Sequence, residues 1–100
     1  MILFEWEEAK AESNRRKHGV RFEVARLVFA VPYALTEQDR VKGGERRWQT
    51  IGLVGGIAIL LVAHTVSEEG QDEVLRIMSA RRANRRERTR YEENREKNIS

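Results

Sequence analysis

The segment from Met78 to Glu93, MSARRANRRERTRYEE, holds six arginines in sixteen residues. A guanidinium is a planar fork of donors that matches phosphate oxygens two at a time. Elsewhere the chain sets Lys17 beside His18, runs Glu45, Arg46, Arg47 and Trp48 together, and carries Arg76 shortly before the arginine-rich stretch. These types suit chemistry on a phosphate ester. Arginines stabilise developing negative charge, where one aimed donor is worth about 2.7–4 kcal/mol of barrier. An imidazole with a pKa near neutral carries the proton. Aromatic rings stack on unpaired bases for about 1–3 kcal/mol each.

Each candidate also has a plainer reading. Arg76 falls on a strand and Arg81 just past its end, and Arg76 can simply pair with an acid such as Glu45 on a neighbouring strand. Arg46 and Arg47 point to opposite faces of theirs. His18, in the last turn of a helix, also complements the helix dipole. Lys17 reads equally as a surface lysine, and Glu45 as either a base or the answer to an arginine. Trp48 fills core by default, Tyr91 docks a helix, Trp6 packs, and His64 within LLVAHTV reads as a core or sheet-face histidine. Arg82, Arg86 and Arg90 recur every four residues. On a helix that spacing stacks like charges on one face, each adjacent pair disfavoured by a few tenths of a kcal/mol. No acid interleaves the row, so an outside anion would relieve it.

The elements that position these residues can be read in outline. One hundred residues, 40% hydrophobic and 35% charged, allow one domain spanning 1–100 with a modest core. The net charge is +3 and unevenly spread: from Arg76 to Lys97 nine basic residues face four glutamates. No cysteine is present, which excludes disulfides and thiolate chemistry. His18 and His64 lie far apart without a carboxylate cluster, so neither a metal nor another cofactor is expected. The longest apolar run, Ile51 to Ala63, contains three glycines and is too short to span a bilayer, which points to a soluble cytoplasmic protein.

A helix is expected from about Glu7 to His18, acidic in its first turn, basic in its last and closed by Gly19. RFEVARLVFA forms a second, stopped at Pro32. Four strands follow, YALTEQD, ERRWQTIGLV, IAILLVAHTV and DEVLRIMSA, with Gly55 and Gly56 as a hairpin turn. Asn84 and Glu87 then open a last helix as a capping-box variant, with fraying expected from about residue 95. The fold class expected is α+β: two N-terminal helices, a four-stranded antiparallel meander and a C-terminal helix.

Three blocks in this order, FEWEEAKAESNRRKHGVRFEVARLVFAVP, GGERRWQTIG and LRIMSARRANRRERTRYE, resemble the BrnT family of ribonuclease toxins over roughly Phe4 to Tyr91. Glu7 stands where that family usually carries Asp, a weaker helix cap by about 1 kcal/mol. Val31 replaces a common Asp before the proline, and Val66 and Ser67 supply no arginine after AHT. The resemblance implies a RelE-like fold and a type II toxin: a metal-independent endoribonuclease that cleaves RNA at its own 2′-hydroxyl and blocks translation. His18, Arg76, Arg81 and Glu45 would then be catalytic. Lys17, Arg46, Arg47, Trp48, Arg82, Arg86 and Tyr91 would hold RNA. It also implies a BrnA-like ribbon-helix-helix antitoxin in a hetero-oligomer such as two of each. That complex would repress its own operon, with operator DNA contacted through the antitoxin. The residues alone also allow a non-catalytic module that binds nucleic acid, or a domain whose basic helix docks an acidic protein.

Overall fold

A four-residue strand at the N-terminus changes the architecture from the one the sequence suggests. The computed structural model describes residues 1–99. Its elements in order are β1 (Ile2–Glu5), α1 (Glu8–His18), α2 (Phe22–Ala25) running into a 3-10 turn (Arg26–Phe29), β2 (Leu35–Lys42), β3 (Glu45–Val54), β4 (Ala58–Glu69), β5 (Asp72–Arg82) and α3 (Arg85–Ile99). The sheet is five-stranded and mixed, ordered β1-β5-β4-β3-β2, with β1 parallel to β5 and every other pair antiparallel. The expected two helices and four-stranded antiparallel meander are therefore corrected to three helices and five strands with one parallel pair. β1 was missed because four residues show no usable period, and because its partner, β5, lies some seventy residues away (Ile2 pairs with Glu73).

The second helix also departs from expectation. Only Phe22–Ala25 is α-helical before the chain tightens into the 3-10 turn. The turn seats Val28 directly on the sheet at Gly52, where an added Cβ would lie 2.8 Å from the Val28 side chain and 3.0 Å from that of Val31. Nothing bulkier than glycine fits that contact. The β3–β4 hairpin turns on Gly55 and Gly56, both left-handed at φ 63° and 65°, with Ile57 as a third loop residue before the Val54–Ala58 pair.

Each face of the sheet is covered differently. On one, Phe22, Ala25 and Val28 pack with Val54, Leu60, Val62, Ile77 and Ala80. On the other, Ala83 at the head of α3 and Tyr91 within it pack on Ile51 and Leu61. α3 begins with a reciprocal cap: the Asn84 side chain accepts from the Glu87 N–H at 2.9 Å, and the Glu87 carboxylate accepts from the Asn84 N–H at 2.8 Å. The helix continues to Ile99, through the stretch expected to fray. No helix among the described residues is long and apolar enough to cross a membrane.

α1 buries little apolar surface; a polar joint holds it. Because β1 pairs with β5 only as far as Arg76, the outer edge of β5 beyond it is open. The buried Asn14 fills that edge: its carbonyl oxygen accepts from Ala80 N–H at 3.0 Å, and its amide donates to Ala80 O at 2.8 Å and Val20 O at 2.9 Å. A single amide thus replaces a missing strand, satisfying backbone groups that burial would otherwise leave unpaired.

Candidate nucleic-acid interface

Alternation and register decide which side chains share a face of the sheet. On the α3 side Arg40 opposes Arg47 across β2 and β3. Trp48 pairs with His64, so Arg47, one residue back, adjoins Thr65, which opposes Arg76. Arg40, Arg47, Thr65 and Arg76 form one row across four strands, roughly 14 Å long at the usual strand spacing. The next row on this face is Glu37, Gln49, Ala63 and Ser79, and the one after contains Ile51, Leu61 and Arg81.

Two β-bulges create the arginine row. In β2 the register shifts between Gln38 and Arg40, so Arg40 rather than Asp39 opposes Arg47. In β5 Ser79 opposes Ala63 while Ile77 opposes His64, which leaves Met78 as the extra residue. Were β5 to run regularly through Met78, Arg76 would share a face with Ala80 and project into the core beneath the N-terminal helices. Bulges commonly re-aim side chains at functional sites.

Acids stand beside the row without neutralising it. The Arg47 side chain is only 22% exposed, and the Oε1 of Glu45 comes no nearer its Nε than 3.9 Å. That nitrogen is buried without a hydrogen-bond partner among the described residues. Arg40 Nε lies 3.9 Å from Asp39 in an exposed pair, an arrangement worth little. Arg76 donates to Glu7 Oε1 at 3.1 Å. The carboxylate of Glu7 is therefore spent on the sheet, and no side-chain bond caps α1. Two guanidiniums directly opposite each other repel, so an anion bridging Arg40 and Arg47 would be favoured.

Around the edge of β5 lies a second basic group. Lys10, Ser13, Lys17 and His18, on one face of α1, line a shallow pocket of about 250 Å³ with Met78 and Ser79. No carboxylate lines it. Ser79 belongs to the row next to that of Arg76, so the pocket and the arginine row adjoin around the sheet edge.

The sequence candidates fall into separate groups. Lys17 and His18 share the α1 pocket, while Arg47 and Arg76 share the row. His18, Arg76 and Arg81 do not meet at one point. Arg76 is held at the start of α1 by Glu7, and His18 closes its other end, roughly 16 Å of helix away. Arg81 is gripped at both terminal nitrogens by Glu87, at 2.7 and 2.9 Å. Hydrogen bonding to Arg81, then the backbone of Asn84, holds the Glu87 carboxyl below the usual range against the opposing effect of burial, and Glu87 raises Arg81 in turn. Glu45 is exposed beside Arg47, two strands and about 10 Å from β5.

Other expectations need correcting. Tyr91 is 2% exposed and packs on Ile51 and Leu61, so its ring has no face free for a base. Trp48 is half-buried on the face of the N-terminal helices, and Arg46, opposing Val41, projects to that same side. Arg82 ends β5 opposite Leu60 and is not helical, so the expected 82–86–90 face does not form. Arg90 instead donates to Glu37 at 3.1 Å, and Arg86 is exposed without an acidic partner among the described residues. His64 is a core residue: its Nε2 meets Thr50 Oγ1 at 2.8 Å, and Thr50 bonds Thr36 at 2.9 Å. Burial pushes its pKa down to about 4, the Thr65 backbone pulling the other way. Arg40, Lys10 and Ser79 were missed. Lys10 was readable from its seven-residue spacing to Lys17; Arg40 was hidden because a bulge leaves no mark in hydropathy.

An arginine row on one sheet face, partly answered by Asp39, Glu45 and Glu7 and continued by a basic helix edge, marks the chain as a small mixed-sheet protein with one strongly basic side. The chain belongs to the BrnT family, described as the ribonuclease toxin, BrnT, of a type II toxin-antitoxin system, whose sequence profile matches residues 6–87. Membership brings a ribonuclease toxin's role and an antitoxin as partner. Its fold is similar to that of the Brucella abortus ribonuclease toxin BrnT, known from a 1.1 Å crystal structure, with a TM-score of 0.63 and 24% identity over 85% of this chain and 99% of that one. Comparison with curated protein sequences gives no match.

Proposed function

We propose that this chain is a metal-independent endoribonuclease that lays an RNA backbone along Arg40, Arg47 and Arg76. The observation that carries this reading is the row itself: three guanidiniums on one face with no acid interleaved. The RNA's 2′-oxygen attacks the adjacent phosphorus while the bond to the 5′-oxygen breaks, leaving a cyclic phosphate and a free 5′-hydroxyl. Arg76 and Arg47 hold the charge gathered on the phosphoryl oxygens. One proton leaves the 2′-hydroxyl to Glu45, which stands beside Arg47, and water returns one to the 5′-oxygen. His18, roughly 16 Å of helix from the Arg76 end, is left to hold the flanking strand with Lys17. Arg81, fixed by Glu87, positions the head of α3 beside the row, and Lys17, Arg46 and Arg86 add long-range attraction for the strand. A BrnA-like ribbon-helix-helix antitoxin neutralises the enzyme in a hetero-oligomer, and the complex meets operator DNA through that partner.

Cleavage of a defined RNA oligonucleotide in chelator tests the reading. Wild type should cut it and leave its 2′-deoxy analogue intact. Arg76→Ala should lower kcat by about 100-fold, the cost of one aimed donor. Equal cleavage by wild type and Arg76→Ala would assign the activity to a contaminant. A second reading, RNA binding without turnover, is favoured by one observation: Arg76 and Arg81 are each already engaged by a carboxylate. Retention of RNA that salt abolishes, with no product, would select it.

A further inference from the structure

The end of the sheet opposite the arginine row carries an apolar groove that the proposed chemistry does not use. Val24 of α2, Val54 and Leu60 of the hairpin strands and Ile57 at the hairpin tip line a recess of about 400 Å³ rimmed by Arg21 and Arg82. Ile57, beside the two-glycine turn, is 86% exposed, more than any other large hydrophobic side chain among the described residues. Neither rim arginine has an acidic partner among the described residues. A second apolar recess, about 330 Å³, flanks the other side of the same hairpin and is bordered by Arg95. From Arg47 to Gly55 along β3 the distance is roughly 26 Å, too far for the groove to share a ligand with the row.

We infer that this groove is the seat of the antitoxin, and that its occupant is an amphipathic helix with aliphatic residues on one face and carboxylates at its flanks. The reading rests on the chain being a type II toxin, the class that brings such a partner. The apolar floor supplies the area, and the unpaired rim cations select acidic flanks, the arrangement in which helices enter grooves. Nucleic acid fits poorly, because the groove offers aliphatic side chains where bases need aromatic platforms. Partner binding and RNA binding thus occupy opposite ends of one sheet.

The test uses the purified toxin and its cognate antitoxin in a calorimetric or surface-binding titration. Ile57→Asp should weaken the complex by at least about 30-fold, the effect of a hot-spot residue. Arg21→Glu should weaken it by about tenfold, and more at low salt. Both variants should cleave RNA at the wild-type rate when no antitoxin is present. Unchanged antitoxin affinity in both variants overturns the assignment, whatever the RNA assay gives. A homodimer of the free toxin that Ile57→Asp dissolves would also overturn it, since the occupant would then be a second copy of this chain. Failure of RNA cleavage by wild type defeats the catalytic proposal alone and leaves the binding titration to be judged separately.

Discussion

The two ends of the sheet are built from the same strands yet do opposite things. At one end β2, β3 and β5 project arginines onto an open face, with Arg47 half-buried and imperfectly paired. At the other, the same β3 and β4 end in a glycine turn that leaves aliphatic side chains at the surface. Neither end is optimised for stability. Opposed guanidiniums repel, and an exposed isoleucine contributes little to the core. Stability is concentrated between them, in Asn14, the Glu87 cap and the packed centres of the strands. Function at the ends and cohesion in the middle make the two separable by substitution.

The largest effect should come from that middle. Asn14→Ala would strand the Ala80 N–H and two carbonyls, each worth about 1–3 kcal/mol when left buried and unmade. Urea unfolding should show a loss of about 4 kcal/mol, close to what a domain of this size can spare. A loss below about 1 kcal/mol would mean that α1 is held by something else.

His64 tests the same middle through pH. Its pKa is depressed to about 4 in the fold against about 6.5 in an unfolded chain. The neutral ring's contribution is therefore complete above pH 6.5 and lost as pH falls from there toward 4, by about 3 kcal/mol. Unfolding measured across that window should show the slope in wild type and lose it in His64→Gln. A ring that titrates near 6.5 by NMR would contradict the burial.

The arginine end should respond in binding alone. Arg40→Ala with Arg47→Ala should weaken single-stranded RNA by about 30-fold and flatten the log–log salt slope by about 1.4. The urea midpoint should hold or rise, because a repulsive pair has been removed. A matching fall in stability would merge the two regions that the comparison separates.

The smallest effect belongs to the joint between sheet and α3. Glu87→Gln should cost about 2 kcal/mol at neutral pH, discounted because Arg81 is 38% exposed. A depressed carboxylate stabilises above its unfolded pKa, near 4.3, and that contribution fades as pH falls further. The variant should therefore lose part of the acid limb of its stability profile below about pH 4.3, and an unchanged limb would deny Glu87 this role.

Local signals in the sequence were legible and distant ones were not. The Gly55–Gly56 turn, the Asn84–Glu87 cap and the Gly19 stop are each written within a few residues, and the structure bears them out. β1 was invisible because its partner is remote, and the break in the second helix because it depends on Gly52 across the sheet. The arginines were readable as a class but not as a surface. Arg82 had helical spacing yet sits in a strand, and Arg40 had no motif at all.

The bulges at Asp39 and Met78 each carry one residue that the ladder does not count. Deleting either would leave Gln38 followed by Arg40, or Ile77 followed by Ser79, so the strand would become regular and its arginine would keep its side. Suppressing a bulge with the residue count kept would instead turn that arginine over. Single-codon deletions at these two positions thus separate the bulge from the surface it sustains.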